Sequence, residues 1–200
     1  MQVNADIYYI RWNNIQQLLT LPCTYPYTAN IGTAETYGPE LEITAKASDY
    51  VTLSFAGSYV TARITSIDPS LLGTTVGSIE PLGPGIPILN VPKYRATVAV
   101  DFSYPITDHS RLTARVDATA TGKFYDLDYY EQQLPGNTIA DARIGLATKA
   151  WTGTLYVRNL TNKISPLTIN THSWNEPTPA VQTASVTTPR TIGLDVSYRY

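Results

Sequence analysis

The residues able to do chemistry are few and scattered. His109 and His172 are the only histidines and Cys23 the only cysteine, too few for a multi-histidine or cysteine-based metal centre. His172 and Glu176 could share a metal ion, but two ligands on one irregular stretch make a weak site. Asp126 and Asp128 alternate as carboxylates of a calcium loop do, yet the rest of that motif is missing, so a solvated strand end is the plainer reading. There is no Gly-rich phosphate loop, no G-x-S-x-G, and no Ser/His/Asp or Cys/His arrangement. The chain therefore reads as a non-enzyme, with no metal and no cofactor. Cys23 could pair only with a thiol outside the chain.

Two sets of residues remain as candidates for binding. Tyr125, Tyr129, Tyr130, His172 and Trp174, with Tyr25 and Tyr27, fall in expected loops and could stack on an incoming ligand; loop packing is the competing reading. Nine charges, Arg95, Asp101, Arg115, Asp117, Asp141, Arg143, Arg158, Asp195 and Arg199, recur on one side of the strand patterns described next. They could meet an anionic solute or pair across strands, and their mixed signs favour pairing.

The elements that must position these residues are strands. Ile192, Leu194, Val196, Tyr198 and Tyr200 alternate with Thr191, Gly193, Asp195, Ser197 and Arg199, one apolar or aromatic face against one small or polar face. The same alternation runs through Tyr94–Tyr104, Leu112–Ala120 and Ala140–Leu146, and more weakly through Val3–Tyr9, Leu41–Ala45, Val51–Tyr59 and Leu155–Val157. That makes about eight strands of roughly nine or more residues, long enough to span a bilayer when tilted. No 3.6-residue period competes. Short turns are expected near 46–49, 105–110 and 148–153, and long connections at 19–27, 66–92, 129–137 and 162–189. The 66–92 stretch, rich in Gly and Pro, is expected to be irregular.

Composition narrows the setting. Charged residues are 15% of the 200 and the net charge is −2, which excludes a binder held to nucleic acid by global positive charge and a long acidic disordered tail. No run of about 18 apolar residues offers a transmembrane helix, and no basic region followed by an apolar run opens the chain as a signal peptide would. The chain opens in a strand-like alternation, which suggests a piece of a larger protein. The wet face is mostly Thr, Ser, Gly and Asn, where a soluble sandwich carries Lys and Glu. The other face includes Ala114, Ala118 and Ala120, which fill a core poorly but are tolerated by lipid. Tyr8, Tyr9, Trp12, Tyr59, Tyr94, Tyr104, Trp151, Tyr198 and Tyr200 near strand ends suit aromatic girdles at two membrane interfaces. An antiparallel transmembrane β-barrel is the favoured fold class, with a soluble β-sandwich as the weaker one.

Four stretches, in order along the chain, resemble the C-terminal barrel of TonB-dependent outer-membrane receptors. Residues 5–16, ADIYYIRWNNIQ, look like that family's "fyidwdniq" strand. Residues 30–42, from Asn30-Ile31-Gly32-Thr33-Ala34 to Gly38-Pro39-Glu40-Leu41-Glu42, look like its "N-x-G-x-A…G-x-E-x-E" segment. Val157-Arg158-Asn159-Leu160-Thr161-Asn162-Lys163 matches "V-x-N-L-x-[DN]-[KR]", and Pro189-Arg190-Thr191-Ile192-Gly193 onward matches the last strand, which ends in an aromatic.

The resemblance implies an all-β, antiparallel transmembrane barrel of twenty-two strands with long extracellular loops and short periplasmic turns. Residues 1–200 would supply about the last eight strands, and the plug domain is absent. It implies a place in the Gram-negative outer membrane and energy-coupled uptake of a scarce solute, most often an iron–siderophore complex. The implied partners are outer-membrane lipid, the N-terminal plug and remaining strands, the TonB complex through the plug, and the barrel-assembly machinery, for which Tyr200 would be the terminal signal. The nine wet-face charges would then meet the plug as well as one another. A self-contained eight-stranded barrel with binding loops is the alternative. Its narrow interior would be filled poorly by Thr97, Ala99, Ser103, Thr119 and Thr121, which suit a wide wall.

Overall fold

A computed structural model of the chain describes residues 1–20, 25–71, 75–76, 80–81, 83–126, 133–172 and 181–199. Its elements are β1 (Gln2–Thr20), β2 (Pro26–Lys46), β3 (Val51–Tyr59), β4 (Thr61–Ile67), a 3-10 turn (Pro69–Leu71), β5 (Thr75–Val76), β6 (Glu80–Pro81), β7 (Tyr94–Thr107), β8 (Ser110–Thr121), β9 (Phe124–Tyr125), β10 (Gln133–Leu134), β11 (Asn137–Thr148), β12 (Trp151–Arg158), β13 (Pro166–His172), β14 (Val181–Val186) and β15 (Thr191–Tyr198). One 11-stranded antiparallel sheet runs β15-β12-β11-β8-β7-β3-β2-β1-β5-β6, with β4 also paired to β2. β4 continues β3 in unbroken register, since Glu40 faces Ser58 and Tyr37 faces Thr61. Counting β3 with β4 as one, eight long strands build the sheet, as the alternation predicts.

The register sorts side chains onto two faces, because direct cross-strand partners share a face. Phe55, Val98 and Ala118 form one row and Ile144 with Leu155 and Leu194 another, all on the apolar face. Thr97 pairs with Thr119, and their hydroxyls meet at 2.9 Å on the polar face. The apolar face has no covering layer among the described residues: Ile192, Leu194 and Val196 are 66%, 69% and 57% exposed. A water-soluble sandwich cannot leave such a surface bare.

Aromatic side chains close the apolar face at both ends. At the end carrying the short turns, Tyr50 and Tyr104 meet edge-on at 4.9 Å and Trp151 lies 4.5 Å from Tyr198. At the other end Tyr59 pairs with Tyr94, and Tyr9 stacks on Tyr37 at 6.4 Å. Tyr94 and Tyr104 bracket the apolar stretch of β7. Ten residues at about 3.3 Å each, tilted by roughly 40°, give a band about 25 Å tall, the height of an outer-membrane apolar belt. Tyr8 and Trp12, expected in the girdles, pair with Gly38 and Ala34 on the polar face instead.

Beyond the long-loop end the strands do not stop where a bilayer would. The alternation predicts a long connection over 19–27, but β1 and β2 stay paired up to Thr20 and Pro26. Register shifts between Asn13 and Gln16 accompany this extension, with Asn14 at φ 58° and Gly32 at φ 142°. Such bulges twist a strand pair and turn its side chains, here bringing Ile15, Leu19, Ile31, Ala34, Ile64, Ile67 and Leu89 into the main buried cluster. The described residues of the 66–92 connection hold only the 3-10 turn and the short β5 and β6 beyond β4, and their later part is anchored: Gly85 N donates to Ile64 O, Ile64 N to Ile86 O and Ile88 N to Ala62 O. The 162–189 connection contains a hairpin, β13 with β14.

Among the described residues the outer side of β1 is paired only at Thr20, with β5, and the outer side of β15 is unpaired. β1 and β15 lie far apart in the strand order and do not pair with each other, so the sheet is open. Long unpaired edges invite another strand.

Candidate functional site

The polar face carries the expected charges as an ordered array. Asp101, Arg115 and Arg143 share one row across β7, β8 and β11, and Asp117 with Asp141 lies in the adjacent row. Like charges thus face each other directly at Arg115–Arg143 and Asp117–Asp141, which costs energy, while diagonal neighbours have opposite signs. Arg115 resolves part of this: its Nη1 donates to Asp101 Oδ2 at 2.9 Å and its Nε to Asp117 Oδ1 at 3.0 Å. Half-exposed pairs of this kind contribute a few tenths to about 1 kcal/mol each.

The remaining charges surround an open cavity of about 320 Å³ lined by Asp117, Asp141, Arg143, Tyr156, Arg158 and Asp195. Arg158 lies 5.2 Å from the Tyr156 ring centroid. Asp141 Oδ1 accepts the backbone N–H of Asn159 at 2.8 Å. Seven of the nine expected charges are therefore gathered on or beside this stretch of wall. Arg95 sits farther along, beside Glu40 and Glu42 in a separate cavity. Arg199 follows β15, where its backbone N–H donates to Ala150 O.

Asn159 ties the loop end of this wall together, a role its motif alone does not reveal. It is buried, at φ 51°. Its Nδ2 donates to Lys163 O at 2.9 Å and Thr188 O at 2.8 Å, and its Oδ1 accepts Lys163 N. Asn tolerates this left-handed backbone better than other non-glycine residues, and its side chain supplies both donors and an acceptor. Thr187 adds to the knot: Ser165 N donates to its Oγ1, which donates to Lys163 O. The β13–β14 hairpin grows from this buried neck.

The expected loop aromatics are only partly described. Tyr125 lies in β9 and packs against the buried cluster at the loop end. Tyr129, Tyr130, Trp174, Glu176 and Tyr200 lie outside the described residues, as does the side chain of His172. Asp126 is buried, and one of its roles is clear: its carboxylate accepts the backbone N–H of Ile169 in β13. The structure thus joins the β8–β11 connection to the hairpin. Asp128 lies outside the described residues.

A third cavity, about 340 Å³, lies between β4 and the 85–93 segment, lined by Tyr59, Arg63, Lys93, Lys123 and Tyr125 among others. Sequence reasoning missed this group, because its members come from four separate segments.

Comparison with known proteins follows the same lines. The family of "TonB dependent receptor-like, beta-barrel" matches residues 1–160. The ferric yersiniabactin uptake receptor FyuA from Yersinia pestis superposes with a TM-score of 0.72 at 20% identity, over 98% of this chain and 27% of that one. The siderophore receptor PiuA from Acinetobacter baumannii gives 0.67 at 20% identity, over 99% and 26%. BauA, the ferric preacinetobactin receptor from Acinetobacter baumannii, gives 0.66 at 20%, over 98% and 27%. The chain thus spans about a quarter of the length of these structures, and at this identity the likeness shows the fold. No curated protein matches it.

Proposed function

The chain belongs to the TonB-dependent receptor β-barrel family, and from this premise we propose that it forms the C-terminal wall of an outer-membrane receptor for an iron–siderophore complex. The observation that carries the membrane part of this reading is the apolar band about 25 Å tall, bare among the described residues and bounded by Tyr50, Tyr104, Trp151 and Tyr198 at one end and Tyr9, Tyr37, Tyr59 and Tyr94 at the other. Lipid covers that band and the lumen wets the opposite face. The choice of solute is supported by the siderophore and ferric-complex receptors among the matched structures.

In this reading the physical work is binding and passage, without bond chemistry. The charged rows around Arg115, Arg143 and Arg158 form the inner wall and contact the receptor's plug, which lies in its N-terminal part. The loops at the β13–β14 end meet the solute. Coupling to TonB runs through the plug. Strands supplied by the rest of the receptor pair with the open edges of β1 and β15; the separation of those edges speaks against a closed eight-stranded barrel.

The test is uptake by cells whose receptor contains this chain. Iron-starved cells producing that receptor should accumulate labelled iron from a ferric siderophore. Loss of the receptor should abolish the accumulation. Uptake that is unchanged across a panel of ferric siderophores when the receptor is deleted overturns the solute assignment. Recovery of the receptor in the water-soluble fraction, folded without detergent, overturns the membrane reading itself.

A further inference from the structure

Among the described residues of the eight long strands, the lipid-facing side carries charge in a single row. Every other Asp, Glu, Lys and Arg of these strands falls on the polar side, as Asp6 and its partner Glu40 do, or Asp195 opposite Thr154. In the exceptional row Arg11 pairs in register with Glu35, and Glu35 with Arg63. Two residues nearer the apolar band, Tyr9 pairs with Tyr37 and Tyr37 with Thr61. Alternation therefore puts Arg11, Glu35 and Arg63 on the same side of the sheet as the aromatic girdle. At about 3.3 Å per residue and roughly 40° of tilt they lie about 5 Å beyond it. A charge at that level costs far less than one at the bilayer midplane.

The row does not neutralise itself. It holds two cations, both exposed, and one half-buried carboxylate between them. Glu35 Oε1 accepts the Tyr9 hydroxyl at 2.8 Å. Among the described residues the ion pairs are those of Arg115 with Asp101 and Asp117, so neither Arg11 nor Arg63 reaches Glu35 at salt-bridge distance. Adjacent strands lie about 4.8 Å apart, so the two arginines rise from backbones roughly 10 Å apart, one on each side of Glu35. Their long side chains can converge on one group from both sides. A guanidinium presents its donors as a planar fork that matches phosphate oxygens two at a time.

We infer that Arg11 and Arg63 together bind the phosphate of a membrane lipid headgroup. The inference rests on the membrane reading above. Depth decides the occupant. The two guanidinium groups lie on the outer surface just beyond the aromatic girdle, the level of lipid headgroups, where aromatic rings and basic side chains anchor a protein. A lipid presents its phosphate at this level while its chains lie along the apolar band below. A solute passing through the lumen meets the opposite face of the sheet. Glu35 sets the strength of the site, because its charge opposes an incoming phosphate and offsets one of the two cations.

The test uses the detergent-solubilised receptor containing this chain, with phosphatidic acid as probe and diacylglycerol of the same chain length as the phosphate-free control. Binding is read by native mass spectrometry, and folding is checked by heat-modifiable migration. The parent should bind phosphatidic acid at least tenfold more tightly than diacylglycerol. Arg11→Gln/Arg63→Gln should weaken phosphatidic acid binding at least fivefold. Glu35→Gln keeps an oxygen for the Tyr9 hydroxyl and removes the one anion of the row, so it should tighten binding by severalfold. Lys93→Gln/Lys123→Gln, with the same charge loss on positions that continue the polar face beyond Arg95 and Thr121, should bind like the parent. If the double arginine variant fails the folding check, the milder Glu35→Gln decides. A folded Arg11→Gln/Arg63→Gln variant that binds as tightly as the parent overturns the inference, and so does a Glu35→Gln variant that binds no more tightly. A parent that does not distinguish phosphatidic acid from diacylglycerol overturns it too. All three results leave the barrel reading intact; a receptor that folds in water without detergent removes both.

Discussion

Tyr156 fills the space over Gly193, its register partner on the neighbouring strand: a Cβ on Gly193 would fall 2.3 Å from Tyr156 Cζ and Oη. The missing side chain lets the ring lie against the sheet within 5.2 Å of the Arg158 guanidinium, an example of an aromatic residue covering a strand glycine. Gly193 thus acts on the polar wall through what it leaves empty.

Substituting Gly193→Ala should therefore displace the Tyr156 ring, whose clashing atoms are at the far end of its side chain. The loss is the packing and the partly exposed cation–π contact, about 1 kcal/mol in all. Gly38→Ala should be much worse, because its Cβ would sit 1.7 Å from the backbone oxygen of Tyr59, an atom that cannot swing aside. We expect about 3 kcal/mol, the upper end for overpacking. Urea unfolding of the receptor in lipid vesicles measures both. Equal costs would show that the β2–β3 approach at Gly38 is looser than described.

Asn159→Ala should cost about 1–2 kcal/mol, because it removes the side-chain partner of Thr188 O and of Lys163 N and one of the two donors to Lys163 O. Asn159→Asp keeps the acceptor and loses the donors, so it should fall closer to Ala than to the parent. The local signature is faster hydrogen exchange across β13 and β14, the hairpin that this residue anchors. Unchanged exchange there would show that Thr187 and Ser165 hold the neck alone.

These cases mark what can be read along the chain and what cannot. Which face Leu194 or Asp195 occupies follows from a period of two, a local property. That β1 and β2 remain paired as far as Thr20 depends on irregularities at Asn14 and Gly32, which periodicity does not reveal. The charges Asp101, Arg115 and Asp117 were legible as a wet-face set, but their bonding depends on register between strands, a non-local quantity. The meeting of Arg63, Lys93 and Lys123 is more distant still. It requires the 85–93 segment to return along β4, and no single stretch of sequence encodes that.

The 3-10 turn after β4 should be sensitive to acid. The Ser70 hydroxyl, and then its backbone N–H, donate to Asp68 Oδ1 at 2.7 and 2.9 Å, holding this carboxyl below its ordinary value of 3.8. The folded turn therefore binds a proton less readily than the unfolded chain. Its contribution is present above the ordinary value and fades as pH falls through the depressed one. Ser70→Ala should move the Asp68 titration back up toward 3.8. An NMR titration of the Asp68 carboxyl in the two proteins measures the shift, and identical curves would exclude the hydroxyl as its cause.

The sharpest difference between lipid and water on the bare face is a charge placed at Leu194. It is 69% exposed, and it lies four positions before the girdle residue Tyr198. At about 3.3 Å per residue and roughly 40° of tilt, it sits about 10 Å from that interface, near the middle of the band. If hydrocarbon covers it, Leu194→Arg should destabilise the folded receptor by about 2–4 kcal/mol. On a water-facing surface the same change would stay within about 0.5 kcal/mol. Asp195→Asn, one residue away on the wet face, should cost less than about 1 kcal/mol in either setting. Equilibrium unfolding from lipid vesicles separates the two environments through the ratio of these effects, and a near-silent Leu194→Arg would remove lipid from that face.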